Sequence, residues 1–228
     1  MSEWWTYSLS DFLLFSPRTY YRLFELYNVA VWPMQVIALA IGIAILSLWL
    51  SGVSWRGRAV AALLAACWAW VAWAYLWERY DSINWAASYF AFGFALQTVL
   101  LIGTGLIRDG LFLARPNRAP VIAGLGVFLF ALVGYPLLGP LLARPWLQAE
   151  VFGVMPDPTV AATLGLLSAA RRAHWLLLVI PALWSAISGA TLWAMQSPEA
   201  PILPVLAAFA LMLGGWKSWS ARSARAYC

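Results

Sequence analysis

Six polar residues draw attention because of where they fall. Asn28, Gln35, Asn84, Gln97, Tyr135 and Asp157 lie within long apolar runs or at their ends. An amide, phenol or carboxyl so placed must find its hydrogen bonds inside the protein, because hydrocarbon offers none. Two chemistries fit the set. Buried amides join neighbouring helices, each contributing about 1 kcal/mol or less. The same groups converging on one point would instead line a polar pocket.

The charged side chains follow a different pattern. Glu25, Glu78, Asp81, Glu150, Asp157 and Glu199 all fall near helix ends, and the groups at greater depth are neutral: Gln35, Tyr89, Gln97, Tyr135, Thr163, Ser185 and Ser188. No chain of ionisable groups that would carry a proton is legible. A third feature is aromatic. Trp70, Trp73 and Trp77 are spaced by three and four, which stacks them on one helix face. Such a stripe packs against another helix or lipid, or holds a quinone, a pigment or an acyl chain.

Cofactor and metal chemistry finds little support. A bis-histidine haem needs paired histidines, and His174 is the only one; it follows Arg171-Arg172 and reads as an interfacial residue. No Cys-x-x-Cys, His-Glu-x-x-His or carboxylate-rich helix is present. No cofactor is therefore expected. Cys67 falls inside an apolar run and Cys228 is the last residue, so no disulfide framework is expected either.

The elements that must carry these residues are helices. Hydrophobic residues make up 64% of the 228 and charged residues 10%, against about 25% charged in soluble domains, which excludes a water-soluble fold. Apolar residues on every face, with no alternation, exclude a β-barrel. Ala59–Trp77 and Asn84–Ile107 are each long enough to cross about 30 Å of hydrocarbon, and the polar turn between them makes them an antiparallel hairpin. Five further apolar segments are Asn28–Leu50, Pro120–Leu142 (bent by Pro136 or Pro140), Thr159–Ala170, Trp175–Met195 and Val205–Trp219. Thr159–Ala170 is short for a crossing unless its neighbours enclose it. Ahead of them, Ser16-Pro17 suits a helix start, and Pro17–Tyr27 reads as a helix lying in the membrane interface. The expectation is an all-α polytopic membrane bundle of about seven spans: residues 1–27 interfacial, 28–219 the bundle, 220–228 a cytoplasmic tail. No cleavable signal peptide and no inverted repeat are legible.

Basic residues orient the bundle. With seven crossings, Arg56, Arg58, Arg108, Arg115, Arg118, Arg171, Arg172, Lys217, Arg222 and Arg225 share one side, and Arg18, Arg22, Arg79 and Arg144 share the other. If Thr159–Ala170 does not cross, the asymmetry weakens. The positive-inside rule thus places the amino terminus outside and the carboxyl terminus in the cytoplasm. The formal charge of +5 forms no basic run, so nucleic acid is not an expected partner. Tryptophans such as Trp4, Trp5, Trp32, Trp55, Trp146, Trp175, Trp193, Trp216 and Trp219 fall where an interfacial belt would lie.

The ordered motifs Tyr27-Asn28-x-Ala30-Val31-Trp32-Pro33-x-Gln35, Ile83-Asn84-x-Ala86-Ala87, Phe92-Gly93-x-Ala95-x-Gln97, Tyr135-Pro136-Leu137-Leu138-Gly139 and Phe152-Gly153-Val154-x-Pro156-x-Pro158-Thr159 carry a resemblance. Together they resemble a bacterial family of polytopic membrane proteins known as domain of unknown function 6064, over nearly the whole chain. The resemblance implies a helical inner-membrane protein with no established activity, catalytic residue or cofactor. It also implies cysteine between the two prolines, where this chain has Asp157, which puts thiol chemistry there in doubt. Three functions follow as expectations. The first is an accessory or scaffolding subunit whose partners are the bilayer and other membrane subunits. The second is a small-solute permease using Asn28, Gln35, Asn84 and Tyr135, and the third a membrane enzyme using Glu78, Asp81 and Asp157.

Overall fold

The computed structural model describes residues 15–108, 111 and 119–226, with backbone alone at 221 and 224–226. Trp4, Trp5, Arg115, Arg118 and Cys228 lie outside the described residues, and Arg225 is described by its backbone only. The described chain is helical throughout. α1 is Pro17–Ala30 and α2 is Met34–Leu50. α3 runs over Arg56–Trp70 and continues as a π-helix, Val71–Trp77; α4 runs over Ala87–Leu101 and continues as Ile102–Ile107. α5 starts at Ala119–Leu129, passes a π turn at Phe130–Gly134 and ends with Tyr135–Leu141. α6 is Pro156–Ala169, α7 Trp175–Ala194 and α8 Ile202–Ala226.

The helical membrane architecture is as expected, but fewer than seven helices are long and apolar enough to cross alone. Five helices are long and apolar enough to cross a bilayer, and six if α1 and α2 count as one broken span. Two expectations change. Asn28–Leu50 is not one helix: α1 and α2 meet at 87°, and Asn28 belongs to α1. Thr159–Ala170 falls on a helix of only 14 residues, α6, with Ala170 as its C-cap, and every one of the 14 is buried. A helix sheathed by protein need not match the bilayer in length, because its neighbours replace lipid on all faces.

α6 is the axis of the molecule, and its small residues explain why. Ala161, Ala162, Thr163 and Gly165 let surrounding helices come close. A Cβ built on Gly165 would stand 2.7 Å from the Gly124 carbonyl oxygen of α5, so the two backbones touch. Trp68 on α3 donates to Thr163 Oγ1 at 2.9 Å. α6 and α7 are antiparallel, since Trp184 and Ser188, late in α7, return to Asp157 in the first turn of α6. At the opposite end, Lys217 of α8 donates to the carbonyls of Ser168 and Ala170. That ammonium satisfies carbonyls with no intrahelical partner and sits favourably at the negative end of the helix dipole.

The ends of α6 therefore mark the two ends of the bundle. The hairpin turn after α3, the loop between α5 and α6, and the α7–α8 turn gather at the Asp157 end. Arg172, His174 and Lys217 gather at the other, where burial and the two neighbouring cations hold the imidazole below its usual pKa.

Candidate functional site

The loop from Leu142 to Met155 folds back over the Asp157 end, and most of the buried polar groups hold it there. Asn28 donates to the carbonyls of Leu147 and Ala149, at 2.8 and 3.0 Å. Gln35 on α2 donates to the backbone oxygen of Asn28 and to its Oδ1, at 2.8 and 3.2 Å. Tyr27 donates to Val154 O and in turn accepts from Trp70 Nε1. Gly153, at φ +75°, makes the reversal into α6, and its amide donates to Thr159 Oγ1 at 2.8 Å. The positive φ suits glycine, and a Cβ there would also crowd Cys67 Sγ at 3.0 Å.

In the loop and beneath it lies a concentration of buried acid. Asp157 is 2% exposed, and Glu150 and Glu199 are buried too. Trp184 Nε1 donates to Asp157 Oδ1 at 2.7 Å and Ser188 donates to Oδ2 at 2.6 Å. Glu199 pairs with Arg144, whose guanidinium also stacks over the Tyr21 ring at 4.2 Å. Tyr21 donates to Ser197 Oγ at 3.3 Å, so α1, the returning loop and the α7–α8 turn are cross-linked. Tyr20, Tyr75 and Tyr135 surround the acids within electrostatic reach of Asp157 and Glu150. The Tyr75 hydroxyl is buried with no hydrogen-bond partner among the described residues.

The electrostatics of this end favour neutral carboxyls. Burial pushes Glu150 well above the usual carboxylate range; Asp157 and Glu199 push the same way, and Arg144 opposes them. Burial also raises Glu199, against its pairing with Arg144 and its hydroxyl partners. One guanidinium, paired with Glu199 and acting on Glu150, does not balance three buried carboxyls, and an unpaired buried charge is expensive. The arrangement is suited to retaining a proton.

The residues singled out in the sequence divide into three groups. Asn28 and Gln35 are brought together, and Tyr135 shares the acidic end with Asp157. Asn84 accepts from the Ala86 amide in its own turn and bonds the Tyr80 side chain. It does not bridge α2 and α4. Gln97 stands apart, donating to Leu177 O of α7 at 3.0 Å. The tryptophan stripe also splits. Trp70 turns inward to Tyr27, while Trp73 and Trp77 are 59% and 49% exposed and wall an apolar groove of about 320 Å³ between α3 and α4. Sequence reasoning did not join Arg144 to Glu199 or Trp184 to Asp157. The legible hint was that Arg144 and Glu199 each stand in a short connection between apolar helices.

A family model described as a family of unknown function, DUF6064, matches residues 18–225. The chain belongs to the DUF6064 family. No curated protein and no solved structure matches it significantly. The match takes in nearly every described residue, so both the bundle and the loop network belong to the DUF6064 region. Among the described residues, no group of three His, Cys, Asp or Glu side chains is placed to hold a metal ion.

Proposed function

We propose that this DUF6064 protein is an accessory or scaffolding subunit of an assembly in a bacterial inner (cytoplasmic) membrane. The amino terminus is outside and the carboxyl terminus cytoplasmic. The observation that carries the reading is the α3–α4 face. Trp73, Trp77 and Phe92 stand exposed over a floor of Ala69, Ala72, Ala91 and Ala95, a shape that accepts the ridge of another helix. The amides Asn28 and Gln35, meanwhile, are engaged in holding the protein's own loop.

One observation favours a second reading, a small-solute permease: the three buried carboxyls gathered at the loop-covered end of the bundle with a single arginine. Native purification separates the two. A scaffold retains stoichiometric membrane subunits, and Trp73→Ala with Trp77→Ala releases them without lowering Tm. A permease purifies alone and moves solute in proteoliposomes, and Asp157→Asn abolishes that transport. The second outcome overturns the first reading. Orientation is tested separately with reporter fusions. Fusions after Arg118 and Cys228 report cytoplasm, and those after Asp81 and Glu199 report the outside. Finding Asp81 and Cys228 on one side would reject the orientation.

A further inference from the structure

α1 lies at 87° to α2, which sets it across the bundle rather than along it. Its level is marked by exposed tryptophans: Trp32 at the α1–α2 junction, Trp85 at the start of α4 and Trp146 in the returning loop. Exposed indoles gathered at one end of a membrane bundle mark the water–lipid boundary. α1 also presents Leu26 and Val29 outward, apolar residues suited to the acyl side of that boundary.

A polar groove of about 620 Å³ opens at this level. Arg18, Arg22 and Glu25 line it from α1, Ser82 from the hairpin turn and Gln148 from the returning loop, with Leu26 at its apolar edge. Arg18 and Arg22 are four apart, so their guanidiniums lie on one face. Arg22 is paired with Glu25. Two guanidiniums are the natural recognition group for a phosphate diester. A carboxylate in the same groove argues against a purely anionic guest and calls for a cation carried by the same molecule. The Ser82 hydroxyl already donates to Arg79 O, which leaves its lone pairs to accept from an N–H donor.

The geometry points to a phospholipid site selective for a phosphoethanolamine headgroup: the phosphate on Arg18 and Arg22, the primary ammonium on Glu25 and Ser82, and the acyl chains descending past Leu26. The charge pattern gives the selectivity. A glycerol headgroup offers Glu25 hydroxyls but no positive charge, and a choline headgroup has no N–H to donate.

The test uses the full chain, delipidated in detergent and incubated with equal amounts of phosphatidylethanolamine, phosphatidylglycerol and phosphatidylcholine of matched acyl chains. Retained lipid is read by native mass spectrometry. Phosphatidylethanolamine should be retained several-fold over the other two. Arg18→Gln with Arg22→Gln should remove that excess, and Glu25→Gln should turn the preference toward phosphatidylglycerol. These side chains are surface groups on α1, and an unchanged Tm for each variant verifies folding. Equal retention of the three lipids, or a preference for phosphatidylglycerol in the parent protein, overturns the proposal. So does soluble glycerophosphoethanolamine competing as well as the lipid, which would make the guest a solute.

Discussion

The α-helical part of α4 and the whole of α6 are nearly the same length and carry apolar sequences, yet they occupy opposite environments. The α-helical part of α4, 15 residues, buries only Ala87, Ala91, Phe94, Gln97 and Leu101, a single stripe spaced by three and four. Tyr89, Phe92, Leu96 and Val99 face outward. α6 buries all 14 of its residues. The difference lies in side-chain size. Between helices in a membrane, lipid and protein are equally apolar, so hydrophobicity does not choose which helix goes inside. Close packing does. The helix rich in Pro, Ala, Gly and Thr became the axis, and the helix with bulky aromatic and aliphatic residues became part of the wall.

Glycine substitutions test that comparison most sharply. A Cβ at Gly165 of α6 meets α5 backbone atoms at 2.7 and 2.8 Å, whereas one at Gly93 of α4 meets nothing within 4 Å. Gly165→Ala should destabilise by about 3 kcal/mol, the upper part of the usual overpacking range. Gly93→Ala should instead stabilise by up to about 1 kcal/mol through lost chain entropy. Thermal melts in one detergent measure both. Equal shifts would remove the distinction between axis and wall.

The polar end of the axis comes next. Asp157→Ala leaves Trp184 Nε1 and the Ser188 hydroxyl without their acceptor, at a cost of about 1–3 kcal/mol each at most. Asp157→Asn keeps an acceptor oxygen for one of them and should lose clearly less. A melt in which Asn and Ala are equally damaging would mean that these hydrogen bonds do not matter.

Acidity should act on this end and leave α4 untouched. Glu150 and Glu199 are both raised in the fold above an ordinary glutamate value of 4.5. A raised carboxyl contributes its stability below the unfolded value and loses it as pH climbs through the folded one. Tm should therefore fall as pH climbs above the ordinary glutamate value of 4.5, and Glu150→Gln should flatten the curve. A Tm that rises with pH in the parent protein contradicts this.

The smallest expected effect separates two asparagines. Asn28→Leu frees two loop carbonyls and leaves the Gln35 amide only the backbone oxygen of residue 28, and should lower stability by about 1 kcal/mol, within the range of membrane hydrogen bonds. Asn84→Leu removes a local turn contact and should lower it less, by a few tenths of a kcal/mol. Proteolysis of the Leu142–Met155 loop offers a second readout: only the Asn28 variant should expose it.

Much of this molecule could be read in order along the chain. The hairpin of α3 and α4, the helix start at Ser16-Pro17 and the long α5 all appear where their apolar lengths and the Ser-Pro pair put them. The Ser16 hydroxyl caps α1 through the Thr19 amide, as its sequence promises. The site was only partly legible. Asn28 and Gln35 are seven residues apart, and their meeting across the bend needs nothing distant. Arg144 and Glu199 are 55 residues apart and Asn28 and Ala149 are 121 apart, and no local pattern links them.

The sequence by itself determined the solvent, the helical class and the gathering of cations toward one end of the bundle. Each follows from residue-by-residue transfer energies and from backbone groups that hydrocarbon cannot satisfy. Only the tertiary structure decided that α6 is enclosed, that the first apolar run breaks at 87°, and that three buried carboxyls and one arginine gather at the end the returning loop covers. Those outcomes depend on which surfaces fit together. Hydropathy sums over neighbours in the chain and assigns the same value to a lipid-facing leucine and a helix-facing one.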